Sequence, residues 1–248
     1  MIEMLSIDLS NYCSKGCSFC YNRSNSEGET AWKCDEVIAF LKDCVAHGIK
    51  AVSLGGGEPF EYKGIFQIID ALFPLCYLSI TSNGLPLENN EIRQKLAITK
   101  PDKIHLTIHH PDDTAEVERV LHRLDSLNGI GIKPGINLLV AADKISASRE
   151  VYNKALNYIT QEQIILVPKR YSNTPTAKQL TEVTDNRPFQ SPSCLLRCQK
   201  PTNFVSVSWD KKVNFCSFAG GKEPLQSLDY SGLCEALSKV NFKSCLTT

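Results

Sequence analysis

The sequence predicts an α/β fold with parallel strands and helical crossovers. Six short β-rich runs alternate with segments of helical periodicity between residues 5 and 167. The connections between them are short, and Gly, Asn or Pro marks many of the joints. Composition agrees: 42% of the 248 residues are hydrophobic and 22% charged, enough to build a core and too apolar for global disorder.

Residues 5–9 read as the first strand and open into a cysteine-rich loop. Over residues 35–46, Val37, Ile38, Leu41, Cys44 and Val45 share one helical face, and His47-Gly48 stops the helix. The second strand, 51–54, runs into Gly55-Gly56-Gly57-Glu58-Pro59. Residues 65–73 are apolar at helical spacing and end before Pro74; 77–81 are the third strand, with Ser82-Asn83-Gly84 as its turn. A helix over 88–98, a strand over 103–109 and a helix over 114–127, closed by Asn128-Gly129, follow. Pro134 precedes a fifth strand over 136–140, and a helix over 148–159 leads to the sixth strand, 163–167. Periodicity leaves both a doubly wound sheet and a full or partial barrel open. In either, chemistry collects at the carboxyl ends of the strands, where Cys13, Gly56, Ser82 and His109 lie.

Composition shifts after Arg170. Residues 171–193, rich in Thr, Ser, Asn and Pro, read as a long connection without strong periodicity. Cys194 and Cys198 come next, then a hairpin of residues 204–208 and 213–218 around Trp209-Asp210-Lys211-Lys212, with Cys216 in its second arm. A helix over 233–240 closes the chain, and the boundary falls near residue 171, between a core of 1–170 and an extension of 171–248.

Lys plus Arg number 27 and Asp plus Glu 27, so no basic surplus favours nucleic acid as a partner. No apolar run approaches the ~20 residues of a membrane span. The eleven cysteines are an odd number, and the start, Met1-Ile2-Glu3-Met4, does not resemble a leader. The expectation is a reduced, cytoplasmic protein whose cysteines bind metal, react or fill the core. Cys44 and Cys76, in apolar runs, read as core, and Cys34 as structural.

Cys13-Ser14-Lys15-Gly16-Cys17-Ser18-Phe19-Cys20 places three thiols in the loop after the first strand. Soft thiolates suit iron–sulfur clusters and zinc. Tetrahedral structural zinc needs four ligands, whereas three bind three irons of a [4Fe–4S] cube and leave the fourth open. A zinc loop or buried cysteines are the alternatives. With Gly56-Gly57-Glu58-Pro59 at the end of the second strand, residues 4 to about 168 resemble the radical SAM superfamily. The resemblance implies a partial (β/α)6 barrel that binds a [4Fe–4S] cluster through Cys13, Cys17 and Cys20, and S-adenosylmethionine (SAM). It implies reductive cleavage of SAM to methionine and a 5′-deoxyadenosyl radical, with the protein supplying placement and exclusion of water and oxygen.

Cofactor contacts implied by the resemblance are Phe19, Gly56, Gly57, Glu58 and Pro59, then Ser82, Asn83, Thr107, His109 and Asn137. Some have a plainer reading: a glycine-rich turn for Gly56 to Pro59, a turn cap at Asn83, a satisfied structural histidine at His109. The fifth strand departs from the fuller family pattern, because no Glu follows in Leu138-Leu139-Val140.

The C-terminal region resembles the truncated SPASM, or twitch, extension of radical SAM enzymes. This implies an auxiliary iron–sulfur cluster on Cys194, Cys198 and Cys216, with Cys234 or Cys245 as fourth ligand, or with that position open to substrate. Lys211 stands where the usual turn glycine would be, and a second block of cysteines is missing. Structural zinc is the alternative. The expected activity is hydrogen abstraction from a peptide or small-protein substrate, with a reducing partner such as flavodoxin or ferredoxin. Two other readings remain: a glycyl-radical enzyme activating protein, which has no need of Cys194, Cys198 and Cys216, and a non-catalytic iron–sulfur electron-transfer or metal-binding protein, which has no use for residues 55–59.

Overall fold

In chain order the elements are β1 (Met4–Asp8), α1 (Cys34–Ala46), β2 (Ala51–Gly55), α2 (Ile65–Leu72), β3 (Tyr77–Ser82), α3 (Asn90–Ile98), β4 (Lys103–Ile108), α4 (Thr114–Gly129), β5 (Lys133–Val140), α5 (Ile145–Ala155), β6 (Ile164–Pro168), α6 (Ala177–Val183), β7 (Phe204–Val207), β8 (Lys212–Asn214), β9 (Glu223–Pro224) and α7 (Tyr230–Lys239). They come from a computed structural model that describes residues 2–170, 172–191 and 198–245. Two units emerge: unit one holds Met1–Ser82, Asn89–Asp102 and Gln199–Thr248, and unit two Asn83–Glu88 and Lys103–Cys198.

In unit one, β1, β2 and β3 run parallel. Alternation sends Leu5, Ile7, Val52, Leu54, Leu78 and Ile80 to one side, where all are essentially inaccessible. Val37, Phe40 and Leu41 of α1 and Ile68, Ile69 and Leu72 of α2 are equally buried, as their 3–4 residue spacing requires. The other face is polar: Ser79, Ser53, Ser6 and Ser206 follow one another across four strands in a single register row. The hairpin expected after residue 203 forms as β7 antiparallel to β8. Its first strand also pairs in parallel with β1, Met4 opposite Phe204 and Ile7 opposite Val207, a long-range contact that local periodicity does not encode.

Unit two carries β4, β5 and β6 in parallel, with α4 and α5 packed beside β5. Pro134 lies inside β5 rather than before it. It is tolerated because pairing with β6 begins only at Ile136, so its missing N–H costs no ladder bond to that strand. Residues 171–193 are not wholly without regular structure: α6 is capped by Thr176, which accepts from the Gln179 N–H. The Thr176–Gln179 pair is a capping-box spacing, a signal present in the sequence beside a helix too short for its periodicity to register.

Candidate functional site

The cysteine loop leaves β1 and is folded back by backbone hydrogen bonds, Cys13 N–H to the Asn25 carbonyl and Asn25 N–H to that of Asn11. Gly16 turns it at φ +55°, the left-handed region that glycine enters without strain. Cys13 is buried, and Cys17, Phe19 and Cys20 are half-buried. Burial pushes the Cys13 thiol up, while the Gly16 and Lys15 backbone N–H groups, aimed at its sulfur, pull it down. Amides aimed at sulfur suit a ligating thiolate, so the loop fits a thiolate-bound cluster. Among the described residues no three His, Cys, Asp or Glu side chains converge on the position of a single metal ion.

The glycine turn at the end of β2 lies directly against this loop. Gly57 N–H donates to the Ser10 carbonyl (2.6 Å) and Glu58 N–H to the Tyr12 carbonyl (2.8 Å). Gly56 has φ +111°, and a Cβ there would come within 2.6 Å of the Ser10 carbonyl oxygen. A Cβ on Gly57 would lie 1.8 Å from the Tyr12 carbonyl oxygen. These glycines are therefore required first by the chain's own backbone, whereas the sequence suggested only room for a ligand. Pro59 opens a 3-10 turn for which Glu58 is the cap. Glu58 is buried, and its Oε1 accepts from Phe60 N–H (3.1 Å) and from the Ser82 hydroxyl (2.9 Å), so two expected site residues meet. Beyond the turn, Glu61 accepts from the backbone N–H and the hydroxyl of Ser14, inside the cysteine loop.

Two residues that the sequence pattern does not single out also lie here. Tyr21, next to Cys20, donates its hydroxyl to Asp8 Oδ1 (3.0 Å) at the end of β1. Its ring packs on Phe218 with centroids 4.7 Å apart, two residues beyond Cys216. A charged residue ending an otherwise apolar and small-residue strand was the available signal. Cys216 and Cys198 are half-buried, while Cys194 lies outside the described residues. Cys234 is exposed on α7 and Cys245 buried. Lys211 adopts φ +58°, the conformation a turn glycine would take. Its Nζ lies 2.8 Å from Glu36 and 5.1 Å from the Trp32 ring centre. Trp32 in turn donates its indole N–H to the Ser208 carbonyl.

In unit two, Asn83 Oδ1 caps its own turn by accepting from Leu85 N–H (2.8 Å). Thr107 and Asn137 are register partners on β4 and β5, and Asn137 Oδ1 lies 3.0 Å from His105 Nδ1. Gly135 makes room for that ring, since a Cβ would come within 2.6 Å of it. Burial pushes His105 down to about 4, against the upward pull of Asn137, so it is neutral at pH 7 and its Nδ1–H serves as donor to the amide oxygen. His109 lies just past β4; its backbone N–H donates to Glu116 Oε1 (2.8 Å) and its Nδ1 lies 3.3 Å from the same oxygen.

Residues 7–140 match the family described as the Radical SAM superfamily. The chain is 24% identical over 235 residues to a GTP 3′,8-cyclase of Clostridium perfringens, covering 87% of this chain and 73% of that protein. It is 22% identical over 175 residues to a probable GTP 3′,8-cyclase of Methanocella arvoryzae, covering 66% of this chain and only 55% of the relative. Among solved structures it resembles Streptococcus suis SuiB bound to its precursor peptide SuiA, with a TM-score of 0.72 at 18% identity, over 88% of this chain and 60% of SuiB. That likeness carries the fold, and the α/β class with a partial (β/α)6 barrel expected from the sequence is borne out.

Proposed function

Because the chain belongs to the radical SAM superfamily, whose enzymes use a [4Fe–4S] cluster and SAM, we propose that it abstracts hydrogen from a peptide or small protein. Cys13, Cys17 and Cys20 would hold the cluster. Phe19 and the segment Gly56-Gly57-Glu58-Pro59 would hold SAM, with Ser82, Asn83, Thr107, His109 and Asn137 as further contacts. When bound, these cofactors supply one-electron cleavage of the sulfonium C–S bond to methionine and a 5′-deoxyadenosyl radical, which takes a hydrogen atom from the substrate. The chain's own residues aim amides at Cys13, lock the glycine turn against the cysteine loop and orient the Glu58 carboxylate through Ser82.

The observation that carries this reading is the pair of backbone hydrogen bonds from Gly57 and Glu58 to Ser10 and Tyr12. They hold the two motifs together ahead of any ligand, which is preorganisation in its simplest form. Support for a peptide comes from SuiB, solved with a precursor peptide. A second reading, a nucleotide substrate, is favoured by the relatives named GTP 3′,8-cyclase. Residues 171–248 serve in our reading as a twitch-like extension with an auxiliary iron–sulfur cluster on Cys194, Cys198 and Cys216. A flavodoxin or ferredoxin would supply electrons. The cytoplasm is the expected setting on cysteine usage; among the described residues no helix is long and apolar enough to cross a membrane.

The test is anaerobic reconstitution followed by incubation with SAM, a reductant and either GTP or a short peptide encoded beside this gene. Formation of 5′-deoxyadenosine with a mass change in the peptide is the expected result. Consumption of GTP with the peptide untouched would replace the peptide reading with the nucleotide one.

A further inference from the structure

Asp8 ends β1, is 1% exposed, and uses only one of its carboxylate oxygens. Oδ1 accepts from Tyr21, while Oδ2 is buried with no hydrogen-bond partner among the described residues. The charged groups facing it are Lys222 and Asp210, with Tyr21 the third titratable neighbour. Its register partner on β2 is Gly55, whose ideal Cβ would lie 3.7 Å from Oδ1, so no side chain from that strand fills the space beside the carboxylate. One row along the same polar face runs the line Ser79, Ser53, Ser6 and Ser206. Burial pushes the Asp8 carboxyl up to about 6, in spite of the Tyr21 hydrogen bond and Lys222, which pull it down.

A buried acceptor left open costs stability, more so on a carboxylate than on a neutral group. An amide of the same shape would still accept from Tyr21 and would leave only a neutral NH2 unpaired, which costs less than an open carboxylate oxygen. Packing therefore does not explain the choice of Asp, whereas a ligand donor completing the carboxylate does, and such stability costs gather at functional positions. We propose that Asp8 is a ligand-binding residue whose Oδ2 accepts an N–H or O–H donor from a molecule seated on the polar face of the unit-one sheet. The donor is an amine, amide or hydroxyl. It comes from SAM or from the substrate; naming these two sources rests on the radical SAM reading above, the open acceptor does not.

The experiment compares reconstituted wild-type, Asp8→Asn and Asp8→Ala enzymes by iron content, thermal midpoint, SAM dissociation constant and KM for whichever substrate, peptide or GTP, the wild type consumes. For Asp8→Asn the expected result is full iron content and a midpoint equal to or above wild type. With it should come at least a tenfold rise in the SAM dissociation constant, which identifies SAM as the donor. If SAM binding holds, a tenfold rise in substrate KM identifies the substrate instead. Asp8→Ala should lose the same binding. Loss of iron together with a lowered midpoint in Asp8→Asn would make Asp8 a structural residue and overturn the proposal, as would binding within twofold of wild type in both variants. A wild type that cleaves SAM but consumes neither peptide nor GTP defeats the substrate reading, and the SAM constant alone then decides Asp8.

Discussion

Units one and two both bury an ionisable group on a strand, and in each case burial drives the group toward its neutral form. Asp8 is raised to about 6 and His105 lowered to about 4. The difference lies in what surrounds them. His105 and Asn137 hold each other, and His109 is tied to Glu116, so unit two arranges its polar residues by side-chain hydrogen bonds. Although His105 Nε2 has no partner among the described residues, a neutral ring nitrogen costs less to leave open than a carboxylate. Unit one adds to its own side-chain hydrogen bonds a close backbone approach, with Gly56 and Gly57 pressed on Ser10 and Tyr12. Backbone contact tolerates no added atom; side-chain pairs tolerate conservative change.

The largest effect should therefore come from unit one's cysteines. Replacing Cys13, Cys17 and Cys20 together by Ala should abolish both the bound cluster and 5′-deoxyadenosine formation, while His109→Ala or Asn137→Ala should keep the cluster and weaken SAM binding less than tenfold. A triple variant that still forms 5′-deoxyadenosine would end the radical SAM assignment of these thiols.

Glycines sharpen the contrast next. Gly57→Ala forces a methyl into the Tyr12 carbonyl, one residue before Cys13. We expect a loss of about 2–3 kcal/mol in stability by denaturant unfolding, with reduced iron uptake, because the cysteine loop must move. Gly129, the last residue of α4 in unit two, has open space around its Cβ position. Gly129→Ala should raise stability by about 0.5–1 kcal/mol. Equal effects at the two glycines would erase the distinction between the units.

The buried pair predicts pH responses of opposite sign. Asp8 has a folded pKa above its ordinary 3.8, so it costs most above pH 6, and stability is recovered as pH falls from 6 toward 4. His105 has a folded pKa below its ordinary 6.5, so its contribution is complete above pH 6.5 and is lost as pH falls toward 4. Each effect is bounded at about 1.4 kcal/mol for every tenfold difference in proton affinity between the folded and unfolded chain. Thermal unfolding of Asp8→Asn between pH 4.5 and 7 should fall more steeply on acidification than wild type, and that of His105→Asn less steeply. Parallel curves for all three would show that burial does not govern these groups.

Lys211→Gly should change least. Glycine relieves the left-handed backbone by about 1 kcal/mol, and losing the half-buried pair with Glu36 returns up to about 1 kcal/mol. A midpoint shift within a few degrees is expected, and a larger loss would show that the ion pair and Trp32 contact hold the hairpin in place.

Strand order along the chain, most helix positions, the cysteine spacing and the Gly56–Pro59 turn were legible because each is written in neighbouring residues: period, stop signal or motif. Boundaries moved by a few residues, as at the start of α5, and α6 was hidden by its seven-residue length. Lys211 looked like a departure from the turn pattern, yet it takes the glycine conformation, with its side chain 2.8 Å from Glu36, far away in sequence.

The sequence by itself determined the α/β class and the family, since those depend on residue types at short spacings. Tertiary structure alone decided that β7 pairs with β1 and that the glycine turn is stitched to Ser10 and Tyr12. It also decided that Asp8 is buried with an oxygen to spare. These are contacts between residues 13 to about 200 positions apart, and their energies come from which backbone or side chain happens to be opposite, which no local pattern records.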